Sequence, residues 1–130
     1  MTSIKAKYKN MFPRFLAAVT TMAAGTGTLR ERLAWVACDV TVFAESQIPN
    51  GVAGRYRAFH ELVNSAIVPE VYLLHAHPVK STRAFYLSPA KAKRAVALLA
   101  GMLETIAHRK DWDEDELVAE EASGEEDLEV

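Results

Sequence analysis

Apolar residues recur at alternating intervals of three and four over most of the chain, a spacing that gathers side chains on one face of an α-helix. Tyr8, Phe12, Phe15, Val19 and Met22 form the first such stripe. Pro13 interrupts it. A proline costs about 3 kcal/mol in a helix interior but is tolerated in a first turn. The first confident helix is therefore expected from Asn10 to about Ala24, ended by Gly25 and Gly27. Residues 1–9 then form a lysine-rich arm, frayed or wound into opening turns.

The second helix carries a clear start signal. In Thr28-Leu29-Arg30-Glu31 the hydroxyl and the carboxylate each satisfy an orphan backbone donor, as in a capping box. Leu29, Leu33, Val36, Val40 and Phe43 follow as one stripe, while Trp35, Cys38 and Val42 fall off it. A helix apolar over so much of its circumference is either central or covered by a second subunit. Trp35, Val42 and Phe43 are accordingly the candidate interface. Val40-Thr41-Val42 is β-branched and a weak helix former, so tertiary contacts must hold these last turns, with Pro49-Asn50-Gly51 ending the element. A third helix is predicted from about Val52 to Ile67, with Val52, Tyr56, Phe59, Val63 and Ala66 on one face, closed by Val68-Pro69.

Residues 70–88 break the helical period. Val71–His75 and Arg83–Leu87 are rich in β-formers and flank a loop containing Pro78, which predicts a small β-hairpin. A short helix followed by an irregular loop is the competing assignment. Ser88-Pro89 then opens a fourth helix as cap and first residue. Its stripe of Ala92, Val96, Leu99, Leu103 and Ile106 runs to about Lys110. Trp112, Leu117 and Val118 support one more short helix, followed by a disordered end from about Ser123. The expected fold is mainly α: a single-domain bundle of four to five helices, with the hairpin and an acidic C-terminal tail.

Composition agrees with one domain. At 130 residues and 50% hydrophobic, the chain has enough apolar material for one core and is not a wholly disordered polymer. Charges interrupt every apolar run before the roughly 18 residues a bilayer requires. Lys5, Lys7 and Lys9 precede no clean apolar block, so no secretory signal is expected. A single cysteine, Cys38, excludes an intramolecular disulfide framework and fits a cytoplasmic location, with the thiol expected as a buried structural group.

Charge changes the picture more than composition does. All fifteen Lys and Arg lie at or before Lys110, against six acids there, a formal +9. The other eleven acids lie in residues 111–130 with no base, a formal −11. This divides the chain into a basic helical domain, 1–110, and an acidic tail, 111–130. A basic body favours an anionic partner, and a tethered acidic segment competes for the same surface. Arg55, Arg57, Lys80, Arg83, Lys91, Lys93 and Arg94 are the candidate contacts, the last three lying where the helix dipole disfavours cations.

Candidate chemistry is sparse. His75 and His77 would face one side of a strand and so reach one metal ion, but two histidines make a weak signal. His60 and Glu61 are adjacent and diverge on a helix. The Gly25-Thr26-Gly27 turn precedes a helix N-terminus but is neither a phosphate loop nor a dinucleotide fingerprint. No cofactor is expected. The sequence thus points to a small non-enzymatic regulatory or inhibitory protein that self-associates as a dimer and works through protein–protein contact, on a nucleoprotein assembly among other targets, with the tail as modulator. The alternative is a direct DNA- or RNA-binding regulator autoinhibited by that tail. A metal-binding protein or enzyme using His75 and His77 is a distant third.

Overall fold

The computed structural model describes residues 3–65 and 86–123. These residues form five α-helices: α1 (Ile4–Ala24), α2 (Leu29–Val40), α3 (Asn50–Asn64), α4 (Pro89–Arg109) and α5 (Glu114–Ser123), with a short 3-10 turn at Glu45–Gln47. The mainly helical expectation holds. No strand occurs among the described residues, and most of the expected hairpin, residues 70–85, lies outside them. Tyr86 and Leu87 lead into α4 through a turn. No helix among the described residues is long and apolar enough to cross a membrane.

α4 packs against α1, α2 and α3, and α1 also contacts α2 and α5. The core between them is built from Tyr8, Met11 and Phe15 of α1, Leu33 and Val40 of α2, Phe59 of α3, and Leu98, Leu99, Met102 and Ile106 of α4. Leu117 joins it from α5.

α3 ends at Asn64, short of the expected Ile67, and its expected closing pair Val68-Pro69 lies outside the described residues. Three other helix ends also depart from the sequence expectation. α1 begins at Ile4, not near Asn10. Ser3 Oγ accepts from the Ala6 amide, and the Glu114 carboxylate accepts from Ile4 and Lys5 at 3.0 and 2.9 Å. Pro13 therefore lies in the helix interior. Its cost of about 3 kcal/mol is outweighed by the complete burial of Tyr8 and Met11 in the turns before it, at about 1.5–3 kcal/mol for a large apolar side chain. α2 stops at Val40, just where the β-branched run begins. Thr41 Oγ1 donates to Ala37 O at 2.8 Å there, and Arg14 donates to Asp39 O at 3.4 Å. α3 starts at Asn50, so the expected turn at Pro49-Asn50-Gly51 is its cap and first residues.

The α1–α2 connection turns at Gly27, whose φ of +95 is the left-handed conformation that side chains disfavour. Thr28 Oγ1 then accepts from Glu31 N at 3.1 Å, the hydroxyl half of the expected capping box, without the return bond from Thr28 N to the Glu31 carboxylate. Arg32 donates to Met22 O, placing a cation at the carbonyl end of α1. α4 opens as expected, with Ser88 Oγ accepting from Lys91 N at 3.2 Å.

The described part of the acidic segment is folded onto the body. Besides Glu114 on α1, Glu121 accepts from Asn50 N of α3 at 2.8 and 3.0 Å, and Glu120 pairs with Arg109 at 3.0 Å. Carboxylates at helix N-termini meet both unpaired N–H groups and the positive end of the dipole.

Candidate functional site

The structure disperses the basic candidates. Arg55 is only 6% exposed and donates to Thr105 Oγ1 at 2.9 Å, linking α3 to α4. Its register carried that signal: it stands three residues after Val52 and four before Phe59, on the flank of the buried stripe. Arg57 is exposed. Lys91, Lys93 and Arg94 are exposed together on the first turns of α4, with Lys91 Nζ 3.5 Å from Ser65 Oγ. Lys80 and Arg83 lie outside the described residues, as do His75 and His77. Among the described residues, no three His, Cys, Asp or Glu side chains stand together as a metal site.

The interface candidates separate as well. Phe43 is half-buried, its ring 6.1 Å from Phe15 and 6.5 Å from Tyr56. Its backbone is clamped by the Tyr56 hydroxyl, which accepts from Phe43 N at 3.1 Å and lies 3.3 Å from Phe43 O. Trp35 and Val42 face outward, 74% and 55% exposed. Cys38 is exposed, not buried as expected. With Trp35 and Asp39 it occupies the side of α2 opposite Leu33, Val36, Ala37 and Val40.

Two shallow depressions between α1 and α2 adjoin this face. One, of about 220 Å³, is bounded by Thr21, Gly25, Thr26, Arg32 and Trp35. The other, of about 460 Å³, runs past Thr21, Ala17 and Val36 to Arg14 and Asp39. Thr21 borders both, so the pair forms one interrupted groove along the helix pair. Small residues on α1 keep it open.

A third cleft, of about 420 Å³, lies between residues 41–50 and α3. Phe43, Ile48 and Tyr56 supply apolar walls, and Glu45, Arg57, His60 and Glu61 supply charge and an imidazole. The fold thus brings His60 and Glu61 to one cleft. Asn64 Nδ2 lies 3.1 Å from His60 Nδ1. Burial raises the Tyr56 phenol pKa, against the pull of its hydrogen bond to Phe43.

The Lys110 ammonium is the largest cause holding the Asp111 carboxyl below its ordinary range. The two groups are 2.9 Å apart, and Lys110 Nζ also sits 4.9 Å over the Phe12 ring. These contacts join the end of α4 to α1. Comparison of the chain with protein-family models, curated proteins and solved structures gives no match.

Proposed function

We propose that this protein acts by binding another protein, with the outer face of α2 as the contact surface and Trp35 as its anchor. One observation carries the reading: Trp35 is 74% exposed, whereas every other Phe, Tyr and Trp among the described residues is buried or half-buried. An exposed indole offers a large apolar area with little rotamer entropy to lose, which is why tryptophan is enriched among residues that dominate binding energy. The groove beside it would receive partner side chains, and Val42 extends the apolar area past the end of α2. The activity on this reading is contact, regulatory or inhibitory, and not chemistry. A second copy of the chain is one form the partner takes.

The test is a Trp35→Ser, Val42→Ser double variant, compared with wild type by light-scattering mass and by quantitative binding to the partner recovered with wild type. Removing a hot-spot anchor is worth at least about 2 kcal/mol, or more than about tenfold in affinity. The melting temperature should hold because both side chains are exposed. Wild-type mass and wild-type partner binding by the double variant would overturn the proposal.

The exposed trio Lys91, Lys93 and Arg94 supports a second reading, direct nucleic-acid contact with the acidic segment as modulator. It predicts salt-steep retention on DNA that Lys91→Glu, Lys93→Glu abolishes. Truncation after Lys110 is a poor test of either idea, since it takes Leu117 out of the core and both carboxylates off α1 and α3.

A further inference from the structure

The outer face of α2 carries a second stripe, separate from the buried one. Trp35, Cys38 and Val42 are spaced three and four apart, and all three are exposed. Charge is placed to one side of it. Arg32 and Asp39 are seven residues apart, so helical spacing sets them on the same flank of Trp35, one on each side of it along the axis. Both border the groove between α1 and α2. Arg32 stands at one end with Thr21, Gly25 and Trp35, and Asp39 at the other with Arg14, Ala17 and Val36. The Arg32 guanidinium is oriented by bonds to Met22 O and Thr28 O, neutral acceptors that leave its charge uncancelled. The opposite flank, by the same spacing, carries Glu31 and Cys38.

We infer that the partner covering this face is a second copy of the chain, with α2 packed antiparallel to α2 about a two-fold axis level with Trp35. This rests on the reading of that face as a contact surface. A two-fold axis across the helices brings one flank against the same flank of the partner, running the other way, so each contact occurs twice. The midpoint of Arg32 and Asp39 falls between Trp35 and Val36. An antiparallel copy centred there sets Arg32 against Asp39 of the partner subunit, and Asp39 against Arg32 of the partner subunit. The same register lays the Trp35 indole of each copy beside the groove of the other, level with Val36. A parallel copy turns that flank toward Glu31 and Cys38, which offer Asp39 no cation. Flanking charges of this kind fix the orientation and register of paired helices. With twelve residues, α2 is only about 18 Å long. The contact therefore belongs to the small, transient class, below about 1,200 Å² in total, and the dimer should form in the micromolar range and weaken in salt.

The experiment measures light-scattering mass of the full chain against concentration at low salt. Wild type should rise from one chain toward two. Arg32→Asp and Asp39→Arg should each self-associate at least about tenfold more weakly, because like charges then face each other twice. Their equimolar mixture should regain wild-type association, since each chain now supplies the charge the other lacks. If Arg32→Asp fails to fold without its bonds to Met22 and Thr28, Cys38 carries the test in wild type. In this register the two Cys38 positions are about 7.5 Å apart along the helices and on facing helices about 8–10 Å apart. That exceeds the roughly 7 Å Cα separation a disulfide tolerates, so a short bismaleimide should join two chains far faster than oxidation does. A wild type that stays monomeric, a mixture no more dimeric than its components, or rapid disulfide formation would overturn the inference. A monomeric wild type whose other partner is still lost in the Trp35→Ser, Val42→Ser variant would sink the dimer and leave the contact surface standing. A dimer untouched by that variant would sink both.

Discussion

α2 and α5 both lie against α1, but different forces hold them there. α2 buries Leu33, Ala34, Val36, Ala37 and Val40 and turns its polar and aromatic remainder outward. α5 buries Leu117 alone and is otherwise fastened by Glu114, Glu120 and Glu121. Apolar burial at about 1.5–3 kcal/mol per large side chain is indifferent to moderate salt. Carboxylate contacts at helix ends contribute about 0.3–1 kcal/mol each and are screened by salt. The contrast teaches that α2 is a fixed wall and α5 a fastening that ions can loosen. It also lowers the charge available for binding. Arg55 is buried and Arg109 is paired with Glu120, so the formal +9 overstates the cationic surface.

The largest expected effect lies on the α2 side. Leu33→Ala should cost about 2–5 kcal/mol in denaturant unfolding, because a fully buried leucine leaves a cavity. The loss should be the same in 0.05 M and 1 M salt, and a strong salt dependence would mean that α2 is not held by packing. Glu114→Ala should cost about 1 kcal/mol at low salt, with most of the difference gone at 1 M. If the variant melts with wild type at low salt, Leu117 alone holds α5 and the comparison fails.

The smallest effect is a pH dependence. Burial pushes the Tyr8 phenol up to about 12 from the ordinary 10.0, against the lowering influence of Arg109. Between those values the folded chain keeps a proton that an unfolded phenol loses. Stability is therefore whole below pH 10 and declines as pH rises toward 12, with Tyr56 acting in the same direction. Tyr8→Phe should flatten part of this decline in melting temperature. A variant with an unchanged alkaline slope would show that Tyr8 does not titrate against folding.

Much of the fold was legible because local rules and burial coincide. The Thr28 and Ser88 caps, the glycine break at Gly27 and the stripes of α2 and α4 each follow from spacing and side-chain chemistry. Pro13 misled because its local cost was visible in the sequence, while the compensating burial of Tyr8 and Met11 and the cap from Glu114 were not. Cys38 and Trp35 were both recognised as lying off the main stripe of α2; that both are exposed depends on what packs beside that helix. Arg55 was read by composition as a surface cation, although its register already placed it beside the core.

By itself, the sequence determined that this is a helical chain, where α2 and α4 begin, which faces turn inward, and that charge divides near Lys110. Those properties depend on neighbours within a turn or two. Only the tertiary structure decided that part of the acidic segment caps α1 and α3, and that Tyr8, Gly51, Arg109 and Glu121 meet at one helix end. That meeting joins residues up to 113 positions apart in the chain, and no local periodicity encodes a contact made only after the helices have packed.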